Sequence, residues 1–185
     1  ALGGTVITAA TAIRRGQGAP VTEEVVNGFP RRKLGRTDDM ISTVGFPGLS
    51  LRNYSQDECT AKLHDVFEQG LNYYDVAPAY GRNGACEIKM GIGMEGMDRD
   101  KIFLSCKTKR RDRVGAKEGL DRSLKRLKTD RFDLYQLHCV FEPDEVEQAL
   151  DKKNGAIATI LDAQKAGIIR HIGFSPHTTR YAIAA

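Results

Sequence analysis

The stretch "YYDVAPAYG", residues 73–81, ends an apolar run on an aspartate and holds a tyrosine a few residues later. Its paired tyrosines and its valine favour a β-strand, whereas its proline and glycine favour a loop. The stretch therefore predicts a strand that closes on Asp75 and a following loop that carries Tyr80.

The same arrangement recurs along the chain, where three further runs each end on a polar residue. These runs are "KIFLSCK" (101–107), "FDLYQLH" (132–138) and "IIRHIGFS" (168–175). The closing residues of the four runs are Asp75, Lys107, His138 and Ser175. Intervals of 31 to 37 residues separate them, each the length of one strand–helix unit. Because barrel active sites lie at the carboxyl ends of the parallel strands, the spacing predicts that these side chains converge on one site.

Strands and amphipathic helices alternate from residue 40 onward. Ser55 and Glu58 form a capping-box pattern at the start of one helix, and Gly70 stands where that helix should stop. The other expected strands are "ISTVGFPGLSL" (41–51), which runs into a loop, and "LNYYDVA" (71–77). The other expected helices are 86–94, a segment with Leu120, Leu124 and Leu127 at helical spacing, 156–167, and one that opens after Ser175.

This alternation predicts parallel strands joined by right-handed crossovers. Two architectures are built in this way, the open doubly wound sheet and the closed (β/α)8 barrel. Neither "GFPGLS" (45–50) nor "GIGMEG" (91–96) supplies a G-x-G-x-x-G motif directly after an early strand, so the barrel is favoured.

The residue types at the expected site suit the reduction of a carbonyl group. A phenol has a reference pKa of about 10, too high for easy proton exchange at neutral pH. The ammonium group of Lys107 near Tyr80 would lower that pKa, and Asp75 would hold the lysine charged. His138 could donate a hydrogen bond to a substrate oxygen while Tyr80 acts as the general acid. A cofactor would supply the hydride.

At these residues the sequence resembles the aldo-keto reductase superfamily. The resemblance covers about residues 31–180 and is carried by "RRKLGRTDDMISTVGF", "YYDVAPAYG", "DRDKIFLSCKT", "SLKRLKTDRFDLYQLH" and "AGIIRHIGFS". It implies an α/β fold, the (β/α)8 TIM barrel, with an N-terminal hairpin that closes its base. This chain holds about the first five strand–helix units and the hairpin. NADPH is the implied cofactor, with NADH possible, and the substrate is a small carbonyl compound.

The resemblance also implies roles for single residues. The catalytic tetrad falls on Asp75, Tyr80, Lys107 and His138. Asp75 and Ser175 are implied to bind the cofactor, and Ser175 matches the serine that contacts the nicotinamide carboxamide. The family commonly has an asparagine after that serine; here it is Pro176, which cannot make the second contact, although His177 could compensate.

The resemblance predicts that the chain is the N-terminal part of a longer reductase. The chain ends after the fifth expected strand, and the segments that grip the adenosine ribose and the 2′-phosphate are missing. This part alone is not expected to turn over substrate.

The amino-acid composition is typical of a globular protein and argues against several other kinds of site. The 185 residues, 41% hydrophobic and 28% charged, suit one globular domain. The net charge of +4 is mild and the basic residues are scattered, which argues against nucleic-acid binding. The four cysteines lie far apart without a C-x-x-C pair, so neither a disulfide framework nor a metal site is expected.

The first residues, "ALGGTVITAATAI" followed by "RRGQGAP", form a small and apolar leader. It is too short to span a membrane and has the composition both of a truncated export signal and of a disordered leader. We assign residues 1–28 to this leader and residues 29–185 to a partial reductase barrel. The location is the bacterial cytoplasm, or the periplasm if the leader is a twin-arginine-type signal.

Other readings stay open beside the NAD(P)H-dependent reductase of aldehydes or ketones. One is a non-catalytic, nucleotide-binding regulatory subunit on the same fold. Another is Schiff-base chemistry at Lys107, although a carboxylate beside that lysine would keep it protonated. Arg110, Arg111 and Arg113 are either plain surface residues or draw an anionic dinucleotide toward the site. The sequence sets no expectation for the oligomeric state.

Overall fold

The computed structural model describes residues 23–176, which form two β-sheets. The first sheet is antiparallel and contains β1 (Glu23–Val26), β2 (Phe29–Lys33) and β3 (Met40–Ser42). Asn27 and Gly28 join β1 to β2, with φ angles of 48° and 94°. Asparagine followed by glycine is the pair that a two-residue hairpin turn favours, because both positions need positive φ.

This hairpin begins inside the segment that the sequence assigned to the leader. β1 lies at Glu23–Val26 and pairs with β2, so residues 23–28 belong to the ordered hairpin. Residues 1–22, with the rest of the expected leader, lie outside the described residues, as do His177 and the helix expected after Ser175. The division into leader and barrel domain otherwise stays a prediction.

The second sheet is parallel and has five strands in chain order. They are β4 (Phe46–Pro47), β5 (Tyr73–Asp75), β6 (Phe103–Thr108), β7 (Phe132–Val140) and β8 (Ile169–Pro176). A doubly wound sheet reverses its strand order at a switch point, and this sheet has no reversal. The order confirms the expected architecture, the first part of a (β/α)8 barrel.

Within residues 23–176, five α-helices accompany these strands. They are α1 (Gln56–Glu68), α2 (Ala85–Gly93), α3 (Arg113–Leu127), α4 (Pro143–Leu150) and α5 (Ala156–Lys165), with short 3₁₀ turns at Gly48–Asn53, Arg82–Gly84 and Arg99–Lys101. The capping box expected at Ser55 is present: its hydroxyl accepts from the N–H of Glu58, whose side chain accepts from the N–H of Ser55. Asp112 caps α3 in the same manner through the N–H of Gly115.

The core lies between the parallel sheet and the helices. Every residue of β6 is buried, as a strand covered on both faces requires. Tyr74 of β5 and Tyr135 of β7 are the largest fully buried side chains, and Leu63 of α1 and Leu120 of α3 pack into the same cluster. This core fixes the strands whose ends carry the expected site.

The hairpin sheet is joined to the amino-terminal end of the parallel sheet. Asn72, just before β5, accepts hydrogen bonds from the N–H and the hydroxyl of Ser42 at 2.7 and 2.9 Å, and it donates to the carbonyl of Met40 at 2.9 Å. Asp39 pairs with Arg170 and His171 of β8. The hairpin therefore closes the base, at the opposite end of the strands from the expected site.

Two local expectations differ from the structure, and a third agrees with it. The strand expected at 41–51 is divided into β3, β4 and a 3₁₀ turn, because Gly45 lies against the Tyr73 ring and Pro47 interrupts strand pairing. α4 was not expected; its proline at the first turn and the cap formed by Glu142 and Glu145 start it. The segment 91–96 has G-x-G-x-x-G spacing but lies at the end of α2, where no strand precedes it.

Candidate active site

The centre of the site is an ion pair at the carboxyl ends of β5 and β6. The ammonium group of Lys107 contacts both carboxylate oxygens of Asp75. Ser105, the β6 residue paired with Asp75, adds a hydroxyl hydrogen bond to that carboxylate at 2.9 Å. Lys107 is only 4% exposed, so the pair is held in a largely dry environment where its Coulomb attraction is strong.

The loop after β5 brings Tyr80 over this ion pair. A turn closes the loop through a hydrogen bond from the Tyr80 N–H to the carbonyl of Ala77 at 2.9 Å. The Nζ atom of Lys107 lies 5.1 Å from the centroid of the Tyr80 ring, within the range of a cation–π contact. The ring of the tyrosine expected to act as an acid therefore contacts the expected ammonium.

His138 lies on the other side of Tyr80, near the end of β7. The two rings meet edge to face, with centroids 5.7 Å apart. His138 is buried and pairs in register with Ser175 of β8. The hydroxyl of Ser175 accepts a hydrogen bond from the Cys139 N–H at 3.3 Å.

All of the residues expected at the site thus lie at one edge of the sheet. Asp75, Lys107, Tyr80 and His138 form a continuous series of contacts, and Ser175 adjoins it through the strand register. Their roles in catalysis and cofactor binding stay predictions, since the geometry places the groups without testing what they do.

Burial keeps the neighbouring titratable groups in their neutral forms. Burial raises the pKa of the Cys106 thiol, with a further rise from the carboxylate of Glu87, so this neighbour of Lys107 stays protonated. Burial also raises the pKa of Tyr73, and the charge of Asp75 adds to it. The Tyr73 phenol is thus a poorer acid than an ordinary tyrosine.

Sequence reasoning missed the position of Arg111. Its guanidinium is buried, and one nitrogen donates to the carbonyls of His138 and Cys139, both at 2.9 Å. At this point the register of β7 shifts between His138 and Val140, and Cys139 has a positive φ of 54°, which is rare without glycine. Arg111 therefore holds the irregular strand end that carries His138.

The surface reading of the basic run is wrong for Arg111, and the three arginines have different surroundings. Arg113 pairs with Asp162 at 2.9 Å on the surface. Arg111 also faces Glu145, 3.7 Å away, whose pKa is lowered chiefly by hydrogen bonds from the main chain at Phe141 and Glu142. The sequence shows only that this segment is rich in basic residues. It does not show that Arg111 binds main-chain carbonyls, because every residue has such a carbonyl whatever its side chain.

The donor set at the edge suits the carboxamide end of a nicotinamide. Since the Ser175 oxygen accepts from Cys139, its own hydrogen is available to donate to an amide carbonyl. Pro176 offers no N–H beside it. A carboxylate has about four acceptor sites, so Asp75 keeps capacity for a hydroxyl donor beyond Lys107 and Ser105. Within residues 23–176, no group of three His, Cys, Asp or Glu side chains is arranged to hold a metal ion.

A model of the aldo/keto reductase family matches residues 43–185, more than half of the chain. The uncharacterized oxidoreductase YqkF of Bacillus subtilis is 32% identical over 157 residues, covering 78% of this chain and 48% of that protein. Methylglyoxal reductase DkgA of Salmonella typhimurium is 29% identical over 126 residues, covering 68% of this chain and 43% of that protein. The chain spans about half the length of the curated relatives it matches.

Solved structures agree with these relatives. The holo form of aldo-keto reductase AKR11C1 from Bacillus halodurans matches with a TM-score of 0.71 and 28% identity, over 83% of this chain and 52% of that one. An aldo/keto reductase from Klebsiella pneumoniae, solved with NADP and acetate, matches with a TM-score of 0.64 and 23% identity, over 76% and 48%. The first likeness agrees with the family match, and the second concerns the fold.

In the part of the chain that the structure describes, no helix has both the length and the apolar character needed to cross a membrane.

Proposed function

The chain belongs to the aldo/keto reductase family, and from this premise we propose that its site reduces an aldehyde or ketone to the alcohol. The proposal is made for the native polypeptide that contains this chain, because the chain covers about half of its relatives. The observation that carries it is the contact series from Asp75 through Lys107 and Tyr80 to His138.

In this proposal Tyr80 is the proton donor. Its hydroxyl gives a proton to the carbonyl oxygen as the oxygen becomes an alkoxide, and solvent later returns a proton to the phenolate. The positive charge of Lys107, 5.1 Å from the ring centroid, compensates the negative charge that Tyr80 carries once its proton has left. Asp75 keeps the lysine charged and fixes its direction.

His138 positions the substrate. An imidazole N–H beside Tyr80 donates to the same carbonyl oxygen and so stabilises the charge that develops there. The Lys107–Asp75 ion pair argues against Schiff-base chemistry, since a protonated amine is not a nucleophile.

We propose a nicotinamide cofactor, with NADPH as the first choice and NADH as the alternative. A reduced nicotinamide, when bound, supplies the hydride that the carbonyl carbon receives. Nicotinamide cofactors are used in the family, as the NADP complex of the K. pneumoniae protein illustrates. Ser175 is the residue we assign to its carboxamide, and Asp75 a second contact.

The test is oxidation of NADPH by the native polypeptide with a panel of small aldehydes and ketones. Tyr80→Phe should lower kcat by about a hundredfold or more, the contribution of general acid catalysis. Tyr54→Phe, which removes an exposed phenol elsewhere, is the matched control and should keep the wild-type rate. A Tyr80→Phe variant that turns over at the wild-type rate would remove Tyr80 as the donor.

The regulatory reading gives a different result in the same assay. A non-catalytic subunit would bind NADPH, seen as quenching or enhancement of cofactor fluorescence, without oxidising it against any carbonyl. Multiple turnovers would exclude that reading.

A further inference from the structure

A small recess opens beside the candidate site, between the Tyr80 loop, the segment after β6 and the face of α3. Its volume is about 170 Å³. The recess therefore has room for a group of several heavy atoms, such as a carboxylate. His138 forms part of its wall, and Pro78 lies at the side of the Tyr80 loop.

The charge of this recess is one-sided. Lys109, Arg110 and Arg122 all line it, and within residues 23–176 no carboxylate does. None of the three forms an ion pair with a described residue, whereas Arg111, Arg113 and Arg126 each face a carboxylate of Glu145, Asp162 or Glu87. Cations without a carboxylate partner around a concave surface attract an anion from solution.

The direction of one side chain supports this. A Cβ atom built at Gly119 of α3 would lie 3.9 Å from a terminal nitrogen of Arg122 and 3.6 Å from the hydroxyl of Thr108. The guanidinium therefore lies back along α3 toward the end of β6 and does not extend away from the helix. Glycine at this position keeps the wall of the recess open between the two groups.

The recess and the reacting groups share His138. This residue contacts the Tyr80 ring on one side and lines the recess with the cations. A small anion held by Arg110 and Arg122 would thus be separated from the Tyr80 ring by the single residue His138. A planar guanidinium binds a carboxylate through two parallel hydrogen bonds, which fixes the orientation of the bound group.

We propose that this recess, lined by Lys109, Arg110 and Arg122, binds a carboxylate of the substrate, and that the preferred substrates are small aldehydes or ketones that carry one. The proposal rests on the proposed reductase function. It assigns the three cations to the substrate and not to the phosphates of the cofactor.

The test compares two aldehydes of equal chain length, 4-oxobutanoate and butanal, in the native polypeptide. The wild type should have the higher kcat/KM for 4-oxobutanoate. The double variant Arg110→Gln, Arg122→Gln should lower the ratio of the two kcat/KM values by about tenfold or more, the usual size of losing charge-assisted hydrogen bonds. The double variant Lys125→Gln, Lys165→Gln, which removes two charges at exposed positions outside the recess, is the charge-matched control and should leave the ratio unchanged.

Each outcome decides something different. Reduction of both aldehydes with no preference for the charged one, or an unchanged ratio in the double variant, would overturn the carboxylate site and leave the reductase function standing. A double variant that binds NADPH more weakly, measured by cofactor fluorescence, while its ratio is unchanged would assign the cations to the cofactor. Failure to reduce either aldehyde or any other carbonyl would count against the reductase function itself.

Discussion

Lys107 and Asp75 are charged groups placed where charge is costly. The lysine side chain is 6% exposed and the aspartate side chain 25% exposed. Removing water from an ion costs several kcal/mol, so each of these charges depends on the other for compensation. The pair is thus a stability element as well as a proposed part of the proton-transfer machinery.

We expect Asp75→Asn to lower the free energy of unfolding by about 3 kcal/mol, because it leaves the buried ammonium without its carboxylate. Urea denaturation measures this. Asp162→Asn is the matched control, since its partnership with Arg113 is half exposed on both sides and should be worth about 0–1 kcal/mol. If both variants lost the same free energy of unfolding, burial would not make the Asp75–Lys107 pair more stabilising than the surface pair.

At the residue scale the sequence was informative where side chains follow the strand period. Asp75, Lys107, His138 and Ser175 could be predicted at one edge because each closes a parallel strand and the intervals match a strand–helix unit. Arg111 could not be found in this way. Its acceptors are main-chain carbonyls, which every residue has, and its burial depends on the fold of the loop around it.

The elements around the site are joined by hydrogen bonds that run between loops. Arg111, between β6 and α3, binds the end of β7, and its own carbonyl accepts from the N–H of Ala156 at the start of α5 at 2.8 Å. The main-chain N–H of Arg113 donates to the carbonyl of Asn154, in the loop before α5, at 2.7 Å. Two consecutive strand–helix units of the barrel, β6–α3 and β7–α5, therefore meet next to His138.

We expect Arg111→Met to lower the unfolding free energy by about 1–3 kcal/mol, because two buried carbonyls lose their hydrogen bonds from Arg111. Since these carbonyls belong to His138 and Cys139, kcat should fall more than KM rises. Arg111→Lys, which keeps a charged donor, should recover part of kcat. Stability from urea denaturation and steady-state kinetics measure the two effects.

Arg113→Met is the control for this prediction, because its guanidinium pairs on the surface and away from β7. If Arg111→Met lost stability with kcat and KM both unchanged, Arg111 would be a structural residue that does not position His138.

Helices with a clear periodic pattern of apolar residues were predicted from the sequence. Elements whose bounds depend on single contacts were not. α1 and α3 follow from apolar residues at helical spacing, and the capping box marks the start of α1. α4 has only eight residues, too few for a periodic signal, and its start depends on Glu145 accepting from the N–H of Phe141 and Glu142. β4 has two residues, because the chain turns at once into Gly48–Asn53.

In the molecule as a whole, the candidate active site lies at one end of the parallel strands, and the contacts with the hairpin lie at the other end. The resemblance to a known family implied a hairpin at the base, and the structure shows how it is attached, through Asn72 and Asp39. These contacts could not be predicted from local sequence, because they join residues about thirty or more positions apart along the chain.

We expect Asn72→Ala to lower the unfolding free energy by about 1–3 kcal/mol, because the buried N–H and hydroxyl of Ser42 and the carbonyl of Met40 lose their partner. The kcat for carbonyl reduction should stay at the wild-type value, since Asn72 lies at the base. Thermal unfolding and kinetics on the same preparation measure both. A fall in kcat in the range where the variant is fully folded would contradict the separation.

The contacts that attach the hairpin lie apart from the candidate active site, and this separation is useful for engineering. Asn72 precedes β5 and Asp75 ends it, so the two groups lie roughly 10 Å apart along that strand. Libraries that randomise the rim loops can therefore explore new specificities without loosening the closure, and stabilising changes made near Asn72 and Asp39 can offset what such libraries lose. The two kinds of mutation should combine additively, as distant sites do.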